Sequence, residues 1–195
     1  MSEGRFLANP AKRLGREVKM DLKKHEELLK KLQTDYPKAV LDGAVNEQEW
    51  SGQNDKKILW ILKEVNDYAG DLRGLLNDPA KLTAYNRWQA TYGLVAKVSY
   101  GLLTGKWVED ADTLVKDGKV LGKIAVINVN KLGGTSKASA KSLSEAAEEF
   151  HDVILKQIEF LDPDIVILGG VKDVLAKWLP KDGSKRKWIA ASHPG

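Results

Sequence analysis

The sequence predicts an α/β fold of three layers, in which helices cover both faces of a short, mainly parallel sheet of four strands. Short and continuously apolar runs, typical of strands buried on both faces, alternate with longer segments whose apolar residues recur at helical spacing. This alternation of strand and helix is typical of a parallel sheet. The 195 residues predict a single domain, with an N-terminal helical segment at 1–40 and the core at 57–195.

Each element follows from local patterns. The first helix is predicted over residues 11–33 and ends at Tyr36-Pro37, because the residue before a proline avoids helical dihedral angles. Residues 38–56 are polar and are expected to be irregular. Further helices are predicted from Asp71, over 80–104, from Ser142 to Phe160 with a Ser142–Glu145 capping box, and ending near Trp178. The four strands are expected at 57–62, 123–129, 164–168 and 187–191.

Composition excludes several classes of protein. The chain contains no cysteine, which excludes disulfides and cysteine-bound metal clusters. It has no apolar run of the roughly 20 residues that a transmembrane helix needs, and no apolar signal core follows Met1. A cytoplasmic protein without membrane attachment is therefore expected. No two of the three histidines have metal-ligand spacing, so neither a metal nor another cofactor is expected; His25 is expected on the surface and His151 in a structural role.

The net charge of +4 is unevenly distributed. Residues 1–33 hold nine Lys or Arg and five Asp or Glu, which favours a solvated basic helix face. Two basic clusters flank predicted strand ends, and a polyanion crossing that edge of the sheet would meet positive charge there. The clusters are Lys131, Lys137 and Lys141, and Lys181, Lys185, Arg186 and Lys187.

Polar or glycine residues follow all four predicted strands. They are Lys63-Glu64-Val65-Asn66, Asn128-Val129-Asn130-Lys131, Gly169-Gly170 and His193-Pro194. Because the carboxyl ends of parallel strands meet at one edge of a sheet, these groups are expected to form a site there.

In this order, the strand-end segments resemble those of the uracil-DNA glycosylase superfamily. The best match runs from Gln157-Ile158 through Pro163 and an apolar strand to Gly169-Gly170, and the resemblance covers roughly residues 57–195. It implies a three-layer α/β/α fold with a base pocket at the carboxyl edge of the sheet. It also implies recognition of a base flipped out of DNA and cleavage of the bond to its sugar.

The resemblance assigns roles to individual residues. Glu64 matches a position that carries an acid in some branches of the family, and it would position water and stabilise the sugar cation. His193 matches the histidine that stabilises the leaving base. Asn128 matches the asparagine that pairs with the base edge, with Asn66 and Asn130 as substitutes. Tyr68 would stack on the base.

Plainer interpretations stand beside these roles. Glu64 could cap the following helix or pair with a lysine, and Asn66 and Asn128 could be turn residues. Arg73 could clamp Glu64 or a phosphate, or be a surface charge next to Asp71 as a helix cap. Lys131 could bind a phosphate or belong to a solvated turn.

Three departures from the family pattern leave alternatives open. The first motif lacks the usual Gly and Pro and has Lys63 and Asn66 instead; the cluster cysteines of some branches are absent. The family's DNA-wedging loop and helix after His-Pro are also missing, since the sequence stops at Gly195. Either the chain is truncated or it does not insert into DNA in the family's manner. The leading expectation is a monomeric DNA glycosylase-like protein that binds DNA. The alternatives are a non-catalytic nucleobase- or nucleic-acid-binding module and a small-molecule enzyme on a Rossmann-like scaffold.

Overall fold

A computed structural model describes residues 11–53, 56–65, 68–85, 88–116, 119–133, 139–180 and 186–194. The strands are β1 (Gly43–Ala44), β2 (Ile58–Leu62), β3 (Ala125–Asn128), β4 (Ile165–Gly169) and β5 (Lys187–Ala191). The helices are α1 (Ala11–Asp35), α2 (Glu47–Gly52), α3 (Leu72–Asn77), α4 (Pro79–Ala84), α5 (Leu94–Thr104), α6 (Ala111–Lys116), α7 (Ala140–Leu161) and α8 (Lys172–Leu175). A π-helical turn, Gln89–Gly93, precedes α5, and a 3-10 turn, Val120–Lys123, precedes β3.

The strands form one mixed sheet in the order β1-β3-β2-β4-β5. The four expected strands are parallel to one another, and the bounds of each lie within two residues of those predicted. The prediction of four strands is incomplete, because β1 pairs antiparallel with β3 at the edge of the sheet. This strand lies in segment 38–56, which was expected to be irregular. A strand of two residues is too short to show an alternating pattern in the sequence.

The sheet separates two apolar cores. Leu59 and Ile61 of β2 pack into a core shared with α1, α7 and α8. Ile58, Trp60 and Leu62 point to the other face and pack with α3 to α6. Because successive side chains of a strand point to opposite faces, a continuously apolar strand is what a sheet covered by helices on both sides requires. The described residues therefore form an α/β fold with helices on both faces of the sheet.

Two helix ends explain where the predicted bounds hold and where they do not. Helix α1 ends at Asp35, directly before Tyr36-Pro37, as expected. The predicted Ser142–Glu145 capping box is wrong, because Ser139 is the N-cap of α7. The hydroxyl of Ser139 accepts from the Ser142 nitrogen at 3.0 Å, and the Ser142 hydroxyl accepts from the Ser139 nitrogen at 3.0 Å. A serine can take the place of the usual Glu or Gln in this reciprocal arrangement.

The single helix predicted over 80–104 is interrupted. Helix α4 ends at Ala84, Tyr85 has an extended backbone with ψ of 126°, and the chain re-enters helix through the π turn before α5. Leu82, Trp88 and Tyr92 all lie in the same core on both sides of the break. The apolar spacing therefore indicates which side of the segment faces the core, but it does not record where the backbone hydrogen bonds stop. In the described part of the chain, no helix has both the length and the apolar character needed to cross a bilayer.

Candidate functional site

The order of the strands creates a topological switch point between β2 and β4. Strand β2 pairs with β3 on one side and with β4 on the other, while β5 lies beyond β4. The chain therefore passes from β2 to β3 in one direction and from β4 to β5 in the opposite direction. Open α/β sheets bind ligands in the crevice outside the carboxyl ends of the strands at such a point. Here that edge carries Lys63 and Glu64 after β2, Gly170 after β4 and His193 after β5.

Gly170 is the point on which Lys63 and His193 converge. Its nitrogen donates to the Ala191 carbonyl at 2.8 Å, which ties the end of β4 to the end of β5. A Cβ atom on Gly170 would lie 2.9 Å from Cβ of His193 and 3.1 Å from Cε of Lys63. Lys63 follows β2 and His193 follows β5, the strands on either side of β4, and their side chains therefore lie close together at the switch point. Both are half-buried.

We expect Gly170→Ala to destabilise the protein and disturb this edge. Gly170 has a φ of 69°, and a Cβ there would overlap His193. The left-handed backbone alone costs a residue with a side chain about 1–2 kcal/mol. Urea unfolding measures the loss, and histidine NMR signals report any movement of His193. Gly52→Ala is the matched control, because a Cβ on Gly52 meets nothing within 4 Å. Equal stability of the two variants would contradict the described packing.

Glu64 is held from one side by Asn130. The Nδ2 atom of Asn130 donates to Oε2 of Glu64 at 3.2 Å. Asn130 is itself fixed, because its nitrogen donates to the Lys63 carbonyl at 2.9 Å and its Oδ1 accepts from the Leu132 nitrogen at 3.0 Å. The other carboxylate oxygen of Glu64, Oε1, is buried and has no hydrogen-bond partner among the described residues. Buried polar atoms are usually paired, so this oxygen is available to a water molecule or a ligand.

A buried polar cluster lies beneath this edge, between α1, α7 and β3. We call it the Asp42 cluster, and its members, each at most 1% exposed, are His25, Asp42, Asn128, Lys131 and Gln157. Both oxygens of the Asp42 carboxylate accept from Nζ of Lys131 at 3.0 Å. The carboxylate also accepts from the Asn128 nitrogen at 2.7 Å and from Nε2 of Gln157 at 2.9 Å. With a further bond from Nδ2 of Asn128, five hydrogen bonds surround one buried carboxylate, which offsets part of the cost of burying it.

The Asp42 cluster holds two predicted substrate-binding residues away from solvent. Lys131 is 0% exposed and donates to Oε1 of Gln157 at 2.5 Å besides its pair with Asp42, so it lies neither in a solvated turn nor open to a phosphate. Burial lowers the pKa of Lys131, and the charge of Asp42 opposes that shift. Asn128 is also 0% exposed, and its Nδ2 donates to Asp42 at 3.3 Å. For Asn128 to contact a base edge as predicted, the Asp42 cluster would have to open to solvent.

Arg73 and Tyr68 have partners of their own. The guanidinium of Arg73 forms ion pairs with the carboxylates of Glu26 and Asp71 rather than with that of Glu64. Its Nε atom lies 3.3 Å from Oδ1 of Asp71. Asp71 caps α3 by accepting from the Arg73 nitrogen at 3.1 Å, which confirms the plainer interpretation of Asp71. The hydroxyl of Tyr68 donates to the Asp71 carbonyl at 2.9 Å, and its ring meets that of Tyr85 edge-on at 6.1 Å.

Asn66 lies outside the described residues, as do Lys137, Lys181 and Lys185 of the basic clusters. The prediction of His25 on the surface is wrong: its ring is 1% exposed and packs against Gly43, whose φ of 144° and missing side chain make room for it. His151 stacks on Trp178 with ring centroids 4.6 Å apart, which agrees with a structural role.

We expect the stabilising contribution of Glu26 to disappear on acidification. The His25 imidazole, together with the Arg73 guanidinium and against partial burial, lowers the pKa of Glu26 from 4.5 to about 2. A lowered carboxyl pKa adds stability that is complete above pH 4.5 and is lost as the pH falls toward about 2. The stability difference between wild type and Glu26→Gln should therefore shrink between neutral pH and about pH 3.

Urea titrations at the two pH values measure this difference. The pKa of Glu47 is shifted in the opposite direction, because burial and then the charge of Glu26 raise it. The comparison is therefore made in a Glu47→Gln background. Glu27→Gln is the control, since Glu27 is exposed and lies 4.0 Å from Lys23. An equal difference at both pH values would show that Glu26 does not titrate in this way.

Sequence reasoning missed two residues at the centre of the buried cluster. Gln157 had a visible signal, because it occupies a core position of α7 beside Ile154, Ile158 and Leu161. A polar residue on an apolar helix face predicts a buried partner. Asp42 had no such signal, because Asp42-Gly43 in a polar segment has the composition of an ordinary turn.

Comparisons with known proteins add no assignment to this geometry. No protein-family model matches the chain, and no curated protein sequence is significantly similar to it. Within the ranges that the structure describes, no three His, Asp or Glu residues are grouped in a way that could hold a metal ion. The candidate site therefore rests on two pairs at the carboxyl edge: Lys63 and His193 around Gly170 at the switch point, and Glu64 with Asn130 on the side of β3.

Proposed function

We propose that the protein hydrolyses the N-glycosidic bond of uracil or another damaged base in DNA. The observation that carries this proposal is the state of Glu64. One of its carboxylate oxygens is held by Asn130, and the other is buried without a partner among the described residues, at the carboxyl edge of the sheet. A carboxylate fixed in this way is suited to hold a water molecule or to face a developing cation.

The chemistry follows from the charges that develop as the bond breaks. The sugar becomes positive and the departing base becomes negative. Glu64 would stabilise the sugar cation and orient the attacking water through Oε1. His193, at the end of β5, would donate a hydrogen bond to the oxygen of the departing base. Because Lys63 and His193 both lie against Gly170, a base that enters the crevice between β2 and β4 would reach both residues.

Local positive charge near the carboxyl edge supports DNA as the substrate. The net charge of +4 does not add to this support, because it lies within residues 1–33 and the remainder of the chain is neutral. Lys172, at the start of α8 shortly after Gly170, is exposed. The cluster that contains Lys187 was expected at the same edge, but Lys187 begins β5 and pairs with Ile165 at the start of β4, so it lies at the opposite edge of the sheet. Arg186 pairs with Asp162 at 2.9 Å, and Lys141 lies 3.9 Å from Glu145, so both are partly neutralised. A strand that crosses the carboxyl edge would meet Lys63 and Lys172.

A second candidate function is nucleobase or nucleic-acid binding without chemistry. It is favoured by the Asp42 cluster, which holds the side chains of Asn128 and Lys131 that were expected to bind substrate. The carboxyl edge of the sheet would then bind a base without the side chains of Asn128 and Lys131. Base-release and binding measurements separate the two functions.

The test is base release from a fluorescent single-stranded oligonucleotide with one uracil, followed by alkali to cleave abasic sites. We expect cleavage of the uracil oligonucleotide and none of an otherwise identical one with thymine. Other deaminated and damaged bases are tested in the same format. Tight binding of these substrates without release would support the binding module. If the protein neither binds nor releases any of these bases, the proposal is overturned.

A further inference from the structure

Lys63 is a half-buried lysine to which the proposed hydrolysis gives a place beside the base but no part in breaking the bond. Its backbone is fixed on the edge, because the Lys63 carbonyl accepts from the Asn130 nitrogen at 2.9 Å. Its Cε atom lies 3.1 Å from the place of a Cβ on Gly170, next to His193. Among the described residues, its ammonium has no hydrogen-bond or ion-pair partner. Lys131, after the neighbouring strand, is instead held by Asp42.

We propose that Lys63 forms a Schiff base with the sugar of an abasic site and that the protein cleaves DNA at such sites. This inference rests on the proposed function, because removal of a base leaves a sugar that opens to an aldehyde. Lysine amines form Schiff bases with carbonyl substrates. Lys63 directly precedes Glu64 in the chain, so its amine is carried by the segment that would face the sugar.

The steps balance without an oxidant or reductant. The Nζ atom of unprotonated Lys63 attacks C1′ of the open sugar, forms a carbon–nitrogen bond and expels the aldehyde oxygen as water. The iminium carbon then acidifies C2′, which loses a proton to the Glu64 carboxylate. The C3′–oxygen bond breaks and the 3′ phosphate leaves with its DNA strand. Water finally hydrolyses the imine, releases the unsaturated sugar aldehyde and restores the lysine amine.

Other lysines with described surroundings are less suited to this role. Lys131 is 0% exposed and pairs with Asp42. Lys57 precedes β2 and therefore lies at the opposite edge of the sheet, where its Nζ stands 5.5 Å from the ring centre of Trp50. Lys172 is near the carboxyl edge but exposed, and it is expected to contact the DNA backbone. Lys156, exposed on α7 and away from that edge, is the matched control.

The experiment traps the imine with borohydride on an oligonucleotide that carries a preformed abasic site. We expect wild-type protein to give a covalent adduct that peptide mapping places on Lys63. Lys63→Arg retains the positive charge but cannot form the imine, so its adduct should be lost. Lys156→Arg, at an exposed position of α7, should trap as the wild type does. A tetrahydrofuran analogue of the abasic site, which has no aldehyde, should give no adduct.

The outcomes separate this inference from the proposed function. Uracil release without an adduct overturns the role of Lys63 and leaves the glycosylase proposal intact. An adduct on Lys63 without uracil release supports the role of Lys63 and counts against base removal. An adduct that persists in Lys63→Arg, or that maps to another residue, overturns the inference.

Discussion

Lys131→Met is expected to destabilise the protein by about 3–5 kcal/mol, because it leaves the buried carboxylate of Asp42 without its counter-ion. The side chains of Lys131 and Asp42 are each 0% exposed, and both oxygens of the Asp42 carboxylate lie 3.0 Å from Nζ of Lys131. The substitution also removes the donor to Gln157. Loss of one partner of a buried ion pair costs far more than loss of the whole pair, since the remaining charge cannot be hydrated.

Urea unfolding of three variants tests this account of the buried pair. Lys131→Met should show the full loss, whereas Asp42→Asn combined with Lys131→Met should recover part of it. The double variant removes the unpaired charge and keeps an acceptor for the Asn128 nitrogen. Lys156→Met on the exposed side of α7 is the control. A Lys131→Met protein within about 0.5 kcal/mol of wild type would contradict the buried ion pair.

Glu64→Gln is expected to lower the rate of base release by about 100- to 10,000-fold, the usual range for removing a general acid or base. Glutamine has nearly the same shape as glutamate and can still accept from Nδ2 of Asn130. It can neither carry the negative charge that the proposed mechanism places beside the sugar cation nor accept a proton from water. The fold should therefore persist while the rate falls, and single-turnover base release measures the rate.

The control for Glu64 is Glu159→Gln, at an exposed position of α7. It changes the net charge by the same amount and should leave the rate unaltered. Thermal unfolding of both variants checks that the loss is not one of folding. If Glu64→Gln released bases as fast as Glu159→Gln, Glu64 would have no part in the chemistry.

Strands β2, β3 and β4 could be predicted from the sequence because almost all of their residues are buried, which requires cover on both faces of the sheet. Ile58–Leu62 is apolar throughout, and such runs are difficult to place elsewhere than at the centre of a sheet. Strand β1 could not be predicted, because Gly43–Ala44 forms a strand by pairing with β3, which is distant in sequence. The break at Tyr85 was hidden for a similar reason, since the apolar side of the segment continues past it.

That the strand-end side chains lie at one edge of the sheet could be predicted, whereas their individual contacts could not. Glu64 and His193 could be placed at one edge because parallel strands end together. Asn128 and Lys131 also follow a parallel strand and were placed at this edge for the same reason. Their side chains instead hydrogen-bond to Asp42, which is distant in sequence, and are buried with it. No local pattern carries information about such a long-range partner, so only the fold reveals it.

The central claim is that the crevice at the switch point between β2 and β4 binds the target base. A crystal structure of the Glu64→Gln protein with a uracil-containing oligonucleotide tests this claim most directly. The account predicts that the flipped uracil lies against Gly170 and within hydrogen-bond distance of His193, with its sugar facing residue 64. A uracil that binds elsewhere on the protein, with this crevice unoccupied, would contradict it.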